Sequence, residues 1–258
     1  MEKRSEAVRR PNMRFVPVKT EEQQAVLSLH RARQGFVRQR TAQANQIRGL
    51  LAEYGIVIPQ GIRHIGDCLP EILEDAEIAL PGLFRQLLRQ LGEHLKTLTQ
   101  LVEEMEQQIQ QWHRANEASQ KLAAMPGIGA ITATAMVASV GDARNFSNSR
   151  QFAAWLGLVP RQHSSGGKPT LLGISKRGDR YLRTLLIHGA RSVIEAAERR
   201  TKPPVHEPST QQRSWLQALV LRRNKNVAAV ALANKNARVI WALLAHDRHY
   251  QSGYAVAA

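Results

Sequence analysis

One apolar stripe constrains this chain more than any other feature. Phe84, Leu88, Leu91, Leu95, Leu98, Val102, Met105, Ile109 and Trp112 are separated by alternating steps of four and three. An α-helix has about 3.6 residues per turn, so a stripe of period 3.5 stays on one face only if the helix supercoils around a partner. The spacing therefore predicts a coiled coil or a long helical hairpin. The partner is either the helix expected at 21–54, folded back, or the same helix in a second copy. That first helix is predicted because 21–54 lacks proline, holds only two glycines, Gly35 and Gly49, and is rich in Gln, Arg, Ala and Leu. Its apolar positions are Leu29, Phe36, Ile47, Leu50 and Leu51.

Between the two helices, Pro59, Gly61, Gly66, Pro70 and Pro81 break the pattern. A short acidic helix is expected from Glu71 to Leu80. Residues 11–20, PNMRFVPVKT, carry two prolines and read as extended.

Charge divides the chain. Of 36 Lys and Arg and 21 Asp and Glu, 16 and 15 fall in residues 1–120, against 20 and 6 in residues 121–258. A net +14 spread over the second part predicts a polyanionic partner, with nucleic acid favoured over a merely solvated basic surface. No basic amphipathic helix with exposed aromatics offers itself to a membrane surface. No run approaches the roughly 18 apolar residues of a membrane span. The N-terminal MEKRSEAVRR has no apolar stretch behind its charges and does not read as a secretory signal. A lone cysteine, Cys68, excludes an internal disulfide framework and fits a reducing compartment.

The basic part opens with 118–141, ASQKLAAMPGIGAITATAMVASVG. Two short apolar helices flank Pro126-Gly127-Ile128-Gly129, the pattern of a helix-hairpin-helix. Glycines at the turn leave backbone N–H groups of the second helix uncovered, and such an N-terminus attracts phosphate. Gly127 and Gly129 are the candidate contacts. The competing reading is a structural hairpin without a ligand.

Residues 146–183 are the densest stretch. Phe146, Phe152, Trp155 and Leu158 read as core, and Leu171 and Leu172 as a short strand before Gly173. Asp179 is expected to cap a helix running to about Arg199. Its apolar face would carry Leu182, Leu185, Leu186, Gly189 and Val193, and its other face Arg180, Arg183 and Arg191. With Lys168, Lys176 and Arg177 these make six cations within 24 residues.

Residues 163–169, HSSGGKP, form a polar glycine-rich loop with three readings. Ser164 or Ser165, beside Gly166, Gly167 and Lys168, could attack a phosphodiester. The loop could be an ordinary polar turn that binds phosphate or nothing. A serine hydrolase with His163 as base is the weakest reading, since G-x-S-x-G is absent. The tail closes with a proline-rich linker at 201–213 and a helical segment from Ser214 to about Ala245. No metal-ligand spacing occurs among the histidines, and the six carboxylates after residue 120 offer no set for two-metal phosphoryl transfer.

Taken together, PNMRFVPVKT, the Gln/Arg helix, LAAMPGIGAITATAMVASVGDARNF, RQFAAWLGLVPRQHSSGGK and LLGISKRGDRYLRTLLIHGAR closely resemble bacterial insertion-sequence transposases of the IS110 type, in the IS1111 branch. The resemblance runs from about Ala7 to Ala245. It implies a RuvC-like nuclease domain with acidic DEDD magnesium ligands, then a coiled coil, then a transposase domain with a helix-hairpin-helix and a serine. It also implies that the serine attacks DNA to form a phosphoserine link. Carried onto this sequence, Ser165 is the first candidate nucleophile and Ser164 the second. Dimers or tetramers, DNA at element ends and target, and for some members a structured bridge RNA, are the implied partners.

The nuclease domain should precede Ala7, where Met1-Glu2-Lys3-Arg4-Ser5 stands instead. The expectation is thus a mainly α chain: an extended segment at 1–20, an oligomerising helical region at 21–117, and a basic transposase domain at 118–258. It would bind DNA in a bacterial cytoplasm, hold no cofactor itself, and not cleave DNA alone, the magnesium belonging to the missing domain. The alternative is a regulatory nucleic-acid-binding protein that forms mixed oligomers with a full-length transposase.

Overall fold

The computed structural model describes residues 18–163, 170–199 and 211–251. Among these, the chain is mainly α-helical, with a single two-stranded sheet.

Helix α1, Glu21–Ala52, opens on a capping box. The Thr20 hydroxyl accepts from the Gln23 N–H at 3.1 Å, and the Gln23 side chain accepts from the Thr20 N–H at 3.1 Å. Glu21 and Glu22 in the first turn complement the helix dipole. Helix α2 spans Ile62–Glu74 and α3 spans Gly82–Ala115. The α3 stripe packs antiparallel on α1 within the same chain, burying Leu88, Leu95, Leu98, Val102 and Ile109 against Val26, Ala44, Ile47 and Leu51. Pairs along the hairpin fix the register: Trp112 donates to Glu22 at 2.6 Å, Arg33 to Glu106 at 2.8 Å, and Tyr54 stacks on Phe84.

The helix expected at Glu71–Leu80 lies earlier. Pro70 does not end α2, because losing one backbone bond is outweighed by the stripe Ile65, Leu69 and Ile72 buried against the hairpin. Residues 75–80 are non-helical instead. Arg85 gathers their carbonyls, donating to Leu73 O at 2.8 Å and Asp75 O at 2.7 Å, and also to Ile72, Ile78 and Leu80.

A second core follows. Asn116 breaks the long helix and caps α4, Glu117–Ala123. Helix α5, Ala130–Val140, is buried over most of its length. After a 3-10 turn at Ala143–Asn145 comes α6, Ser149–Trp155, whose Phe152 packs edge-on to Phe146. Strands β1, Pro160–Gln162, and β2, Leu171–Ile174, pair antiparallel with an irregular register. Helix α7, Arg180–Arg199, starts at the expected cap, with the Asp179 carboxylate accepting from the Leu182 N–H at 3.0 Å.

The helical segment expected from Ser214 to about Ala245 is built of two helices, α8 at Gln211–Arg222 and α9 at Lys225–Ala245. Asn224 divides them, its side chain accepting from the Asn226 N–H at 2.9 Å. Helix α9 is long and apolar enough to cross a membrane by length and composition. Here it packs on α6 and α7 as a core helix, burying Ala228, Ala229, Leu232, Ala233, Ala237, Ile240 and Leu243. The base of the α1–α3 hairpin rests on α5, and Lys19 donates to Ser139 O at 3.3 Å.

Candidate nucleic-acid interface

The α4–α5 pair is joined by the turn Pro126–Gly129. Its two glycines do different things. Gly127 has φ +82°, and its backbone lies directly on that of Gly189 in α7. A Cβ on either residue would overlap the other's carbonyl oxygen. Gly127 is therefore a packing glycine, set against α7 and not toward solvent. Gly129 is exposed, begins α5 and carries no side chain to cap it. Of the two turn glycines, only Gly129 faces outward beside the free N–H groups of the first turn.

The segment between β2 and α7 holds the exposed cations. Lys176, Arg177 and Arg180 are all exposed. Their positions are set by backbone contacts. Ser175 N–H donates to Val159 O at 2.8 Å, and Lys176 N–H to Gly157 O at 3.1 Å. Gly157 (φ +72°) lies on the backbone of Arg177, and Gly178 (φ +103°) on that of Trp155. Any side chain at either glycine would collide with those main-chain atoms. Lys176 itself adopts φ 56°, an uncommon conformation for a non-glycine residue. The α6–β1 turn thus clamps the basic loop and presents three cations at the base of the β1–β2 ribbon. Among the described residues none of the three has a carboxylate within ion-pair distance.

At the other end of that ribbon, His163 N–H donates to Thr170 O at 2.9 Å. Ser164, Ser165, Gly166, Gly167 and Lys168 themselves fall outside the described residues.

Arg183, expected on the exposed basic face of α7, is buried. Its Nη1 donates to Leu156 O at 3.0 Å, satisfying a carbonyl at the end of α6. It ties α7 to the clamp turn and is not available to a ligand. Arg191 is exposed and donates to Asn226 of α9.

The sequence reading missed the junction between the hairpin and the basic part. His30, 1% exposed, meets Tyr181 Oη through Nδ1 at 3.0 Å and Thr134 Oγ1 through Nε2 at 3.0 Å. Thr134 donates in turn to Ala130 O at 2.7 Å. Arg33 stands close enough to Tyr181 to act on it electrostatically, and it pairs with Glu106. Burial, reinforced by the Arg33 charge, pushes the His30 pKa down to about 4, so the imidazole is neutral. Burial pushes the Tyr181 phenol up. A neutral ring that donates through Nε2 to Thr134 accepts the Tyr181 O–H at Nδ1, which orders the whole relay. A lone histidine at 30 gives no sequence signal of such partners, because they lie on α5 and α7.

The aspartates of the basic part are already engaged. Asp142 bonds Arg144, which holds its carboxyl below the usual range. Asp179 caps α7, and Asp247 pairs with Lys121 at 2.7 Å. Among the described residues no group of three His, Cys, Asp or Glu side chains gathers to hold a metal ion. These residues do not fit a magnesium site.

Residues 119–206 match the family described as transposase IS116/IS110/IS902. A probable family 20 transposase of Pseudomonas aeruginosa is 51% identical over 249 residues, covering 96% of this chain and 71% of the relative. The transposase for insertion sequence element IS1111A of Coxiella burnetii is 44% identical, covering 96% of this chain and 66% of its own length. The transposase for IS1328 of Yersinia enterocolitica is 42% identical, over 92% and 67% of the two chains.

Proposed function

Because this chain belongs to the IS116/IS110/IS902 transposase family, we propose that it acts in DNA transposition as the DNA-holding and oligomerising portion of a serine recombinase. One observation carries this reading. Lys176, Arg177 and Arg180 stand exposed on a loop whose backbone is clamped by Gly157 and Gly178. Fixed cations at the base of a ribbon are suited to phosphate contacts that set the register of a duplex.

In this reading the phosphates of element-end or target DNA meet the basic loop and the first turn of α5 at Gly129. Ser165, or Ser164 beside it, is the nucleophile toward a phosphodiester, with Gly166 and Gly167 giving access and Lys168 offsetting charge. Strand cleavage would require magnesium held by acidic residues other than those described. The α1–α3 hairpin serves assembly into a dimer or tetramer, and a structured guide RNA is the second nucleic-acid partner. The site of action is the bacterial cytoplasm.

A covalent-adduct assay tests it. Labelled element-junction DNA, guide RNA and magnesium are mixed with this chain, with and without a nuclease domain purified from a full-length relative. Protein-linked DNA on denaturing gels, dependent on that domain and lost in Ser165→Ala, is the expected result. Tight DNA binding without any adduct would favour the second reading, a regulator that forms mixed oligomers with full-length transposase.

A further inference from the structure

The β1–β2 ribbon is uncovered on both faces from Pro160 to Gln162 and from Leu171 to Gly173, Ile174 alone reaching the second core. Successive strand residues point to opposite sides, and Pro160, Arg161 and Gln162 are all exposed. On β2, Leu171 is 67% exposed and Leu172 47% exposed, although both lie in a protein with two well-packed cores. A two-stranded ribbon on its own is marginal in water, and adjacent exposed leucines add to that cost. Their exposure leaves an apolar surface open to a partner.

The rim identifies the partner. Arg161 lies on β1, and Lys176 and Arg177 follow β2 directly; all are exposed. The nearest acidic residue in sequence, Asp179, is committed to capping α7. A protein partner would have to bring matching carboxylates, whereas a duplex brings a phosphate row on each side of an apolar floor. The major groove of DNA admits a two-stranded ribbon, and its thymine methyl groups accept apolar contacts. Apolar side chains can also wedge between base steps.

We infer that the β1–β2 ribbon enters a groove of duplex DNA, with Leu171, the more exposed of the two leucines, contacting bases while Arg161, Lys176 and Arg177 hold the flanking phosphates. This deepens the proposed function and rests on its reading of the basic part.

The test separates the two layers of the argument. Binding of the full chain to a mixed-sequence duplex is measured as a function of salt, with 2-aminopurine placed at successive steps. Leu171→Ser should weaken binding about tenfold, the scale of one leucine's burial, leave the salt slope unchanged and abolish any rise in 2-aminopurine emission. Leu172→Ser, on the opposite face of the strand, should weaken it less. Arg161→Gln should instead lower the slope by about one unit. A Leu171→Ser variant that binds like the parent overturns the ribbon assignment while leaving the basic reading intact. So does a change confined to self-association, measured by light scattering, which would make a second copy the cover. A parent chain that does not bind duplex DNA overturns the basic reading itself. Both leucines are solvent-exposed, so the variants keep the fold, and circular dichroism verifies this.

Discussion

His30 Nδ1 and Tyr181 Oη lie 3.0 Å apart although 151 residues separate them in the chain. This bond joins the middle of the first hairpin helix to the first turn of α7, next to Arg180. Tyr181→Phe keeps the ring and removes the O–H, leaving a buried imidazole nitrogen without its donor. The expected cost is about 1–3 kcal/mol, read by urea denaturation. His30→Phe should add little to Tyr181→Phe if both act through the same bond, and full additivity would show that they do not.

The same histidine sets a pH dependence. Its pKa is about 4 in the folded protein and 6.5 when exposed. The unfolded chain therefore binds more protons between these values, and stability rises with pH through this window. The contribution is complete above about 6.5 and lost as pH falls toward 4, on the order of 3 kcal/mol in all. Denaturation midpoints for the parent and His30→Gln should converge at acid pH. Parallel curves from pH 7 to pH 4 would mean that another group dominates.

The backbone clamp makes a sharper prediction. Gly178→Ala places a Cβ against Trp155 O, and Gly189→Ala places one against Gly127 O. Neither main chain can yield without moving a helix, so each substitution should cost about 3 kcal/mol or more. Gly129→Ala meets open space and should be nearly neutral for folding. Thermal melting of the three variants ranks them directly, and equal losses would contradict the packing described.

Local rules made much of this legible in the sequence. The 3.5 period of α3 and the Asp179 cap are local signals, and both elements stand where they are expected. Pro70 misled because a proline weakens a helix locally while the buried stripe of α2 is decided by tertiary packing. Arg183 misled for a related reason. It reads as one more cation of a basic run, yet the carbonyl it serves, Leu156 O, belongs to another element. Likewise the reason for Gly127 lies in Gly189. Residues whose role is a contact distant in sequence cannot be read from spacing alone.

The hairpin seam yields a prediction about assembly. Leu95 and Val102 are buried within one chain, so Leu95→Asp or Val102→Asp should cost about 4 kcal/mol or more and lower the helix signal, not merely dissociate an oligomer. Leu83, 83% exposed on α3, is the better probe of assembly. Leu83→Asp should leave the circular dichroism spectrum intact. A lower mass by light scattering would place a subunit contact at that end of the hairpin, and an unchanged mass would exclude it from the interface.

The last prediction separates structural from phosphate-binding arginines on the same helix. Arg180 is exposed, while Arg183 is buried and bonded to Leu156 O at 3.0 Å. Arg180→Gln removes one cation from the proposed interface without touching the core. It should leave the melting temperature near the parent's and lower the log–log salt slope of duplex binding by about one unit. Arg183→Met should do the reverse. It leaves a buried carbonyl unpaired at a cost of about 1–3 kcal/mol, and at temperatures where the variant is folded it should preserve the slope. Lys176→Gln and Arg177→Gln should follow Arg180, because the glycine clamp holds all three on one loop. If Arg183→Met lowered the slope and Arg180→Gln did not, the phosphate contacts would lie on the other side of α7, and the basic loop would lose its role.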